Sequence, residues 1–394
     1  MMTAIINTKL ILEAGIIWDG VLVYEGERII ALGRADQVTI PEGAEIIDAK
    51  GLYTAPGLFD VHCHSAPFIS FYGDPVGCCE FFLRHGITSI LPTMSPGYSL
   101  EAIIDFGKKL REAQYIGAGQ IIAGIHMEGP YMNGQGGGQS GYKWTAEHGI
   151  HAEDYIPMVQ ANKDMLKMWA VDPNQPGLAE FMTYAKGEVP NLVFAYGHSD
   201  MTAATCKAFK HYGFKVRTHI NDSGQAPGRA QGTAGAGGDH FCLQDPDMFI
   251  EIIADERGIH VDPELIQFFI RMKGVERTML ISDCVSHRKG GKNNIEAGIH
   301  YGPDLNYDDR GYLCGSQITL DKGVKNVMTH TDSGLCQAIR MASLSPAQML
   351  GMDRDVGSLE VGKMANLILI DDEVNIKKVI LKGKLAVEDD QLKL

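Results

Sequence analysis

The sequence predicts an α/β protein: a (β/α)8 TIM-type barrel with a small β-sandwich domain built from both termini. Three observations predict it. Eight short apolar runs recur through the middle of the chain, each followed by a longer helix-compatible segment, the signature of repeated β/α units. The two ends instead carry strand-like runs broken by turn signals. The length, 394 residues, leaves room for one large domain and a smaller one. The expected division is 1–55 plus 356–394 for the small domain and 56–355 for the barrel.

Taken in order, Ile16-Ile17-Trp18-Asp19-Gly20 and Val21 to Gly33 place Asp-Gly and Glu-Gly turns between β-branched residues, which predicts hairpins rather than helices. The carboxyl end repeats the style in Ala365 to Asp371 and Lys378 to Lys384. Neither end alone has enough strands to bury a stable face, so the two are expected to join and bring the termini side by side. Between them the eight runs are Leu58 to His62, Ile87 to Leu91, Ile121 to Met127, Met165 to Val171, Leu192 to Tyr196, Lys215 to His219, Phe249 to Ala254 and Thr278 to Ser282. A barrel of this kind collects its chemistry at the carboxyl ends of its strands.

The composition, 45% hydrophobic and 21% charged, is that of a globular protein. A net charge of −14 with no basic run argues against nucleic acid and anionic membrane as partners, leaving a small-molecule substrate. Eight cysteines in so long a chain read as reduced, buried or incidental thiols. No secretory leader and no apolar run of membrane-spanning length is legible, so the cytoplasm is the expected location.

The first run ends in His62-Cys63-His64. Side chains alternate across a strand, so His62 and His64 share a face and both can reach one metal ion. A His-x-His pair alone is equally compatible with two histidines on a half-exposed strand, and its spacing leaves the metal open. Four more polar residues change the balance, each near the end of its own apolar run: Glu128 in His126-Met127-Glu128-Gly129-Pro130, His198 in Tyr196-Gly197-His198-Ser199, His219 in Thr218-His219-Ile220, and Asp283 in Ser282-Asp283-Cys284. His126 shares the face of Glu128 and is expected to orient a ligand rather than hold the metal. Each later histidine, taken separately, could be a satisfied core side chain. An aspartate leaving an apolar strand is costly to bury without a cation, water or metal partner. Together the set supplies ligands for one or two divalent ions and a separate carboxylate to carry protons, which points to metal-assisted hydrolysis of a carbonyl compound.

Ala55 to His64, His126 to Pro130, Gly197-His198-Ser199, Thr218-His219, Ser282-Asp283 and the re-entry segment Gly357 to Leu367 resemble the amidohydrolase superfamily. The Glu-Gly-Pro motif resembles its N-acetylglucosamine-6-phosphate deacetylase branch. The resemblance implies that His62 and His64 hold one metal, that Glu128 bridges or ligates, and that His198 and His219 hold the other. Ligands of this type suit Zn2+, the expected ion at one or two per subunit, with manganese and iron left open. The resemblance implies that Asp283 takes a proton from metal-bound water attacking an acetyl carbonyl and delivers it to the departing amine. It also implies substrate contacts at Asn221, Arg229 and His260, the last two to a sugar phosphate, and a homodimer in which a neighbour contributes to the site. An arginine suits phosphate because its planar fork donates two hydrogen bonds at once.

Several stretches depart from the branch. The loop after Glu128 reads Asn133-Gly134-Gln135-Gly136-Gly137-Gly138-Gln139-Ser140-Gly141-Tyr142-Lys143, expected as a lid rather than a nucleotide cradle because it lacks the spacing of a phosphate loop. Ile220-Asn221-Asp222-Ser223 replaces Phe-Asn-Ala-Met, and Asp222 adds negative charge where a phosphate should lie. Gly232 to Gly238 reads as a further loop able to fold over substrate or, nearly equally, as a purely structural linker. These changes touch the substrate pocket, not the ligands, and keep a second reading open: the same chemistry on another N-acyl compound, a cyclic amide or a lactone without phosphate.

Overall fold

The computed structural model describes residues 2–95, 97–132, 149–222, 232–286, 302, 304–308 and 311–394. Its centre is a sheet of eight parallel strands in sequential order. These are β1 (Leu58–Cys63), β2 (Ile87–Met94), β3 (Ile125–Glu128), β4 (Leu166–Val171), β5 (Val193–Tyr196), β6 (Phe214–Arg217), β7 (Phe249–Ile252) and β8 (Thr278–Leu280). Backbone hydrogen bonds from Asp283 to the His62 carbonyl (2.8 Å) and from His64 to the Cys284 carbonyl (2.9 Å) close the ring just beyond β1 and β8. Those closing bonds run through candidate site residues themselves.

A helix follows each strand: α1 (Pro75–Arg84), α2 (Leu100–Ala113), α3 (Ala152–Asn162), α4 (Leu178–Glu188), α5 (Ala203–Phe209), α6 (Gly238–Gln244), α7 (Pro263–Lys273) and α8 (Leu320–His330). Local chemistry sets where they begin. Asp74 accepts the Gly77 N–H at 2.9 Å and Asp262 accepts that of Glu264 at 2.9 Å, and each is followed by a proline at the first helical position, where a missing N–H costs nothing. Strand alternation divides the core. Phe59, Val61, Met168, Ala170, Val193, Ala195, Val216, Phe249, Met279 and Ile281 fill the barrel interior, while Leu58, Ile90, Trp169, Val171 and Phe194 pack outward against the helices.

The two chain ends form one nine-stranded sheet. Tyr53–Pro56 lies at its middle, pairing in parallel with Met2–Leu12 and antiparallel with Leu367–Ile370. The sheet rolls over itself. A Cβ on Gly383, in one hairpin turn, would lie 1.8 Å from the Gly26 carbonyl oxygen of another turn far along the strand order. Ile5, Leu10, Leu22, Leu367, Leu369 and Ile380 fill the enclosed space.

Strand limits differ from expectation, and the second strand runs on to Met94. Residues Gly117–Ile121 form a 3-10 turn and β3 starts only at Ile125, so the third apolar run begins on the last residue of a turn and becomes strand only in its second half. The sixth strand stops at Arg217, the seventh at Ile252 and the eighth at Leu280, which leaves His219 and Asp283 on the turns beyond. Six of the eight cysteines are buried and Cys314 and Cys336 are half-buried, none in a disulfide. Among the described residues no helix is long and apolar enough to cross a membrane.

Candidate metal centre

The polar residues at the strand ends meet at one mouth of the barrel. Ligand atoms of His62, His64 and Asp283 lie within 4.8 Å of one another, and so do those of Glu128, His198 and His219. Glu128, the last residue of β3, spans the two triads. Its Oε1 is 3.0 Å from His198 Nε2 and 3.2 Å from His219 Nε2, while Oε2 is 3.3 Å from His64 Nε2. Asp283 Oδ1 lies 3.2 Å from His64 Nε2 and 3.4 Å from His62 Nε2, and the two Nε2 atoms are 3.3 Å apart. Glu128, His62, His198, His219 and Asp283 are buried and His64 is nearly so.

The loop backbones that carry these groups are bent in a way strands are not. His198, His219, Asn221 and Asp283 all have positive φ, at 48°, 28°, 68° and 47°. Non-glycine residues seldom adopt that region, and it persists only where surrounding bonds hold it. The bonds are present. Thr218 N–H donates to the Tyr196 carbonyl at 3.0 Å, Ile220 N–H to the Glu251 carbonyl at 2.9 Å, and Asp222 N–H to the His219 carbonyl at 3.1 Å. Arg217, at the end of β6, donates to the carbonyls of Thr218 and Asp222 and pairs with Asp239 of α6, whose other oxygen accepts the Asn221 N–H at 3.3 Å. Gly197 precedes His198 because the strands close in there: a Cβ would sit 2.9 Å from the Thr218 Cβ. Asp172, at the end of β4, accepts from the Ser199 hydroxyl and from Gln175 Nε2 at 2.7 Å, fixing the turn after His198. Behind Glu128, the Trp169 indole donates to the Gly129 carbonyl at 2.8 Å.

Electrostatics follow from the crowding. Burial opposes a charged imidazole, yet the Asp283 and Glu128 carboxylates beside His64 outweigh it and lift that ring to about 10. His219 is lifted to about 9 against burial by Glu128 and Asp222. At His198 burial wins and holds the ring below its ordinary value. Burial also works against charge on Glu128 and Asp283, but the surrounding histidines bring both below the usual carboxylate range.

This donor set fits a divalent cation. Four Nε2 atoms and two carboxylates face one another across 3.0–3.7 Å, distances at which a cation would replace the shared protons. On the outer side, His62 Nδ1 meets Glu251 Oε2 at 3.1 Å and His64 Nδ1 meets the Ser95 hydroxyl at 2.7 Å, the arrangement that fixes ligand tautomers in metal sites.

Of the remaining expected residues, His126 packs its ring 4.6 Å from that of His62, centroid to centroid, and points Nδ1 at the Val61 carbonyl (3.1 Å). It lies beneath the triads, against the His62 ring. Asn221 borders a cavity of about 400 Å3 with Ser199, Arg217, Asp239 and His240. His260 is buried, its Nδ1 held by Asp255 at 3.2 Å and its Nε2 3.3 Å from the Gly315 carbonyl. Burial works against charge on that ring, but Asp255, Asp222 and Asp283 raise it. Arg229 and the glycine-rich stretch 133–138 lie outside the described residues. The Gly232–Gly238 segment leads into α6, tied down where the Ala203 N–H donates to the Ala236 carbonyl at 2.9 Å.

Sequence reasoning passed over Glu251 and Ser95. Glu251 was legible: a lone carboxylate in Phe249-Ile250-Glu251-Ile252-Ile253 must be buried with a partner. Ser95 carried no signal.

The model of the amidohydrolase family matches residues 53–386. N-acetylglucosamine-6-phosphate deacetylase of Haemophilus influenzae is 25% identical over 407 residues, covering 98% of this chain and 99% of that protein. N-acetylgalactosamine-6-phosphate deacetylase of Escherichia coli O157:H7 is 28% identical over 359 residues, covering 88% and 90%. The crystal structure of N-acetylglucosamine-6-phosphate deacetylase from Pasteurella multocida aligns with a TM-score of 0.83 at 25% identity, covering 98% of this chain and 99% of that one. With a family match over most of its length and likenesses that run from end to end, the chain belongs to the amidohydrolase family.

Proposed function

We propose that this protein is a divalent-metal hydrolase of non-peptide carbon–nitrogen bonds that removes the acetyl group from an N-acetylated amino-sugar phosphate, of the N-acetylglucosamine-6-phosphate kind. The observation that carries the reading is Glu128 joining two buried histidine sets beside Asp283 at the mouth of a barrel. Relatives of nearly full coverage that are named deacetylases of amino-sugar 6-phosphates supply the substrate class.

In this reading His62 and His64 hold one cation, His198 and His219 the other, and Glu128 ligates or bridges. A divalent ion held there supplies Lewis acidity, polarising a carbonyl oxygen and making water a stronger acid. Zinc suits imidazole and carboxylate donors in this number. Asp283 accepts the proton of the attacking water through Oδ1 and returns it to the amine nitrogen as the amide bond breaks. His126 keeps the His62 ring in place from below. Asn221, Arg229 and His260 are proposed substrate contacts, and the enzyme is proposed to be a cytoplasmic homodimer with domain limits 1–55 plus 356–394 and 56–355.

The test is acetate release from N-acetylglucosamine 6-phosphate, N-acetylgalactosamine 6-phosphate, the unphosphorylated sugars, and a panel of lactones and cyclic amides, using protein with its metal content measured. Turnover of at least one phosphosugar well above its unphosphorylated form is expected. Turnover confined to lactones or cyclic amides would replace the substrate assignment, and a metal-free protein with full activity would remove the mechanism.

A further inference from the structure

Glu251 is not among the six residues that face one another across the site, yet it touches both triads. It sits on β7, where Phe249 and Ile253 on its own face point into the barrel interior, and it is fully buried. A single oxygen, Oε2, receives two contacts: His62 Nδ1 at 3.1 Å and the backbone N–H of His219 at 3.1 Å. His62 belongs to one triad and His219 to the other. The other oxygen, Oε1, has no hydrogen-bond partner among the described residues, so saturating a polar interior does not account for the carboxylate.

We propose that Glu251 is a positioning residue shared by the two triads, setting the ring of His62 and the backbone of His219 together and thereby strengthening cation binding at both. This rests on the metal reading given above. A carboxylate at Nδ1 fixes the proton there and leaves the Nε2 lone pair aimed at Glu128 and Asp283. At His219 the contact acts differently. That residue is held at a φ of 28°, and Glu251 grips the turn twice, by its side chain at the His219 N–H and by its own carbonyl at the Ile220 N–H (2.9 Å). The negative charge also lies close to where two cations would sit, without being a ligand to either, which favours their binding.

The test uses Glu251→Gln and Glu251→Leu in the full chain, with Zn2+ affinity measured by competition against a chromogenic chelator and thermal unfolding as the control for folding. Glu251→Gln keeps an oxygen acceptor without the charge and should bind zinc about 10-fold more weakly; Glu251→Leu should lose about 100-fold, the range over which residues behind metal ligands act. The shared role is tested by repeating the comparison in His64→Ala and in His198→Ala, each of which disables one triad. Zinc binding at the surviving triad should weaken in both backgrounds. A loss in only one background would overturn the shared role, and wild-type zinc affinity in a folded Glu251→Gln and Glu251→Leu would overturn any positioning role. If Glu251→Leu does not fold, Glu251→Gln decides alone: unchanged affinity counts against the proposal. A wild-type protein that binds no zinc or other divalent ion yet hydrolyses substrate fails the metal reading itself, an outcome distinct from both.

Discussion

Replacing Asp283 with asparagine separates proton transfer from architecture unusually cleanly in this site. The backbone at Asp283 is fixed from both sides, its N–H donating to the His62 carbonyl at 2.8 Å and its carbonyl accepting from Ser316 at 2.8 Å. Its φ of 47° is one that asparagine tolerates better than most residues, so Asp283→Asn leaves the turn unstrained. What changes is the oxygen 3.2 Å from His64 Nε2 and 3.4 Å from His62 Nε2, which loses its charge and its basicity. Among the described carboxylates, Glu128 is engaged by His64, His198 and His219, Glu251 lies on the far side of the His62 ring, and Asp222 acts on His219 and His260. General acid–base groups contribute about 10²–10⁴ in rate, so a loss of about 10³ in kcat is expected, equivalent to about 4 kcal/mol of barrier. KM should hold, because the group acts on the proton in flight rather than on bound substrate. The assay is initial-rate acetate release across a substrate series, with elemental analysis of the same preparation for metal. A kcat within about tenfold of wild type at equal metal content would refute the assignment of Asp283 as proton carrier.

Two further outcomes are expected. Arg217→Met removes a buried guanidinium that serves Asp239 and two carbonyls of the His219 turn; because Asp239 is partly exposed, the loss belongs near the lower end for broken buried pairs, about 3 kcal/mol in denaturant unfolding, and an unchanged midpoint would show that the clamp is idle. Metal removal should make stability fall at alkaline pH. In the ion-free protein His64 and His219 are raised above their ordinary value, to about 10 and about 9, so their contribution is complete below about pH 6.5 and is lost as pH climbs through 9 to 10, whereas bound metal takes the place of those protons. Chelator-treated and untreated protein should therefore diverge in melting temperature between pH 7 and 10, and parallel curves would contradict the charge distribution described.

Legibility in the sequence depended on what each residue owed to local pattern. The barrel was readable because each strand repeats one short apolar signal, and the His-x-His pair was readable because β1 brings both rings to one place through simple alternation. The third strand was misplaced at its start because Ile121 and Ile122 are apolar for packing, and nothing in an apolar run distinguishes a 3-10 turn from a strand. His219 falls beyond a strand that ends two residues earlier, since its conformation is imposed by the neighbouring Arg217 and by Asp239 and Glu251 from two other places in the chain. Ser95 became a partner of His64 only through folding, and a lone serine announces nothing.

The positive φ values fall where the chemistry is. His198, His219, Asn221 and Asp283 leave their strands at one end of the barrel and turn back over it, and the turns are held by Asp172 through Ser199, by Arg217 with Asp239, and by the closing backbone bonds to β1. A ligand on a regular strand could be displaced by sliding that strand, at little cost to its neighbours. A ligand on a turn locked by bonds from several strands cannot move without breaking them, so the cost of distorting the centre is spread through the barrel wall. The same bonds make the ligand turns poor places for substitution, Asn221 and Asp222 included, since Asp239 and Arg217 hold the backbone of both.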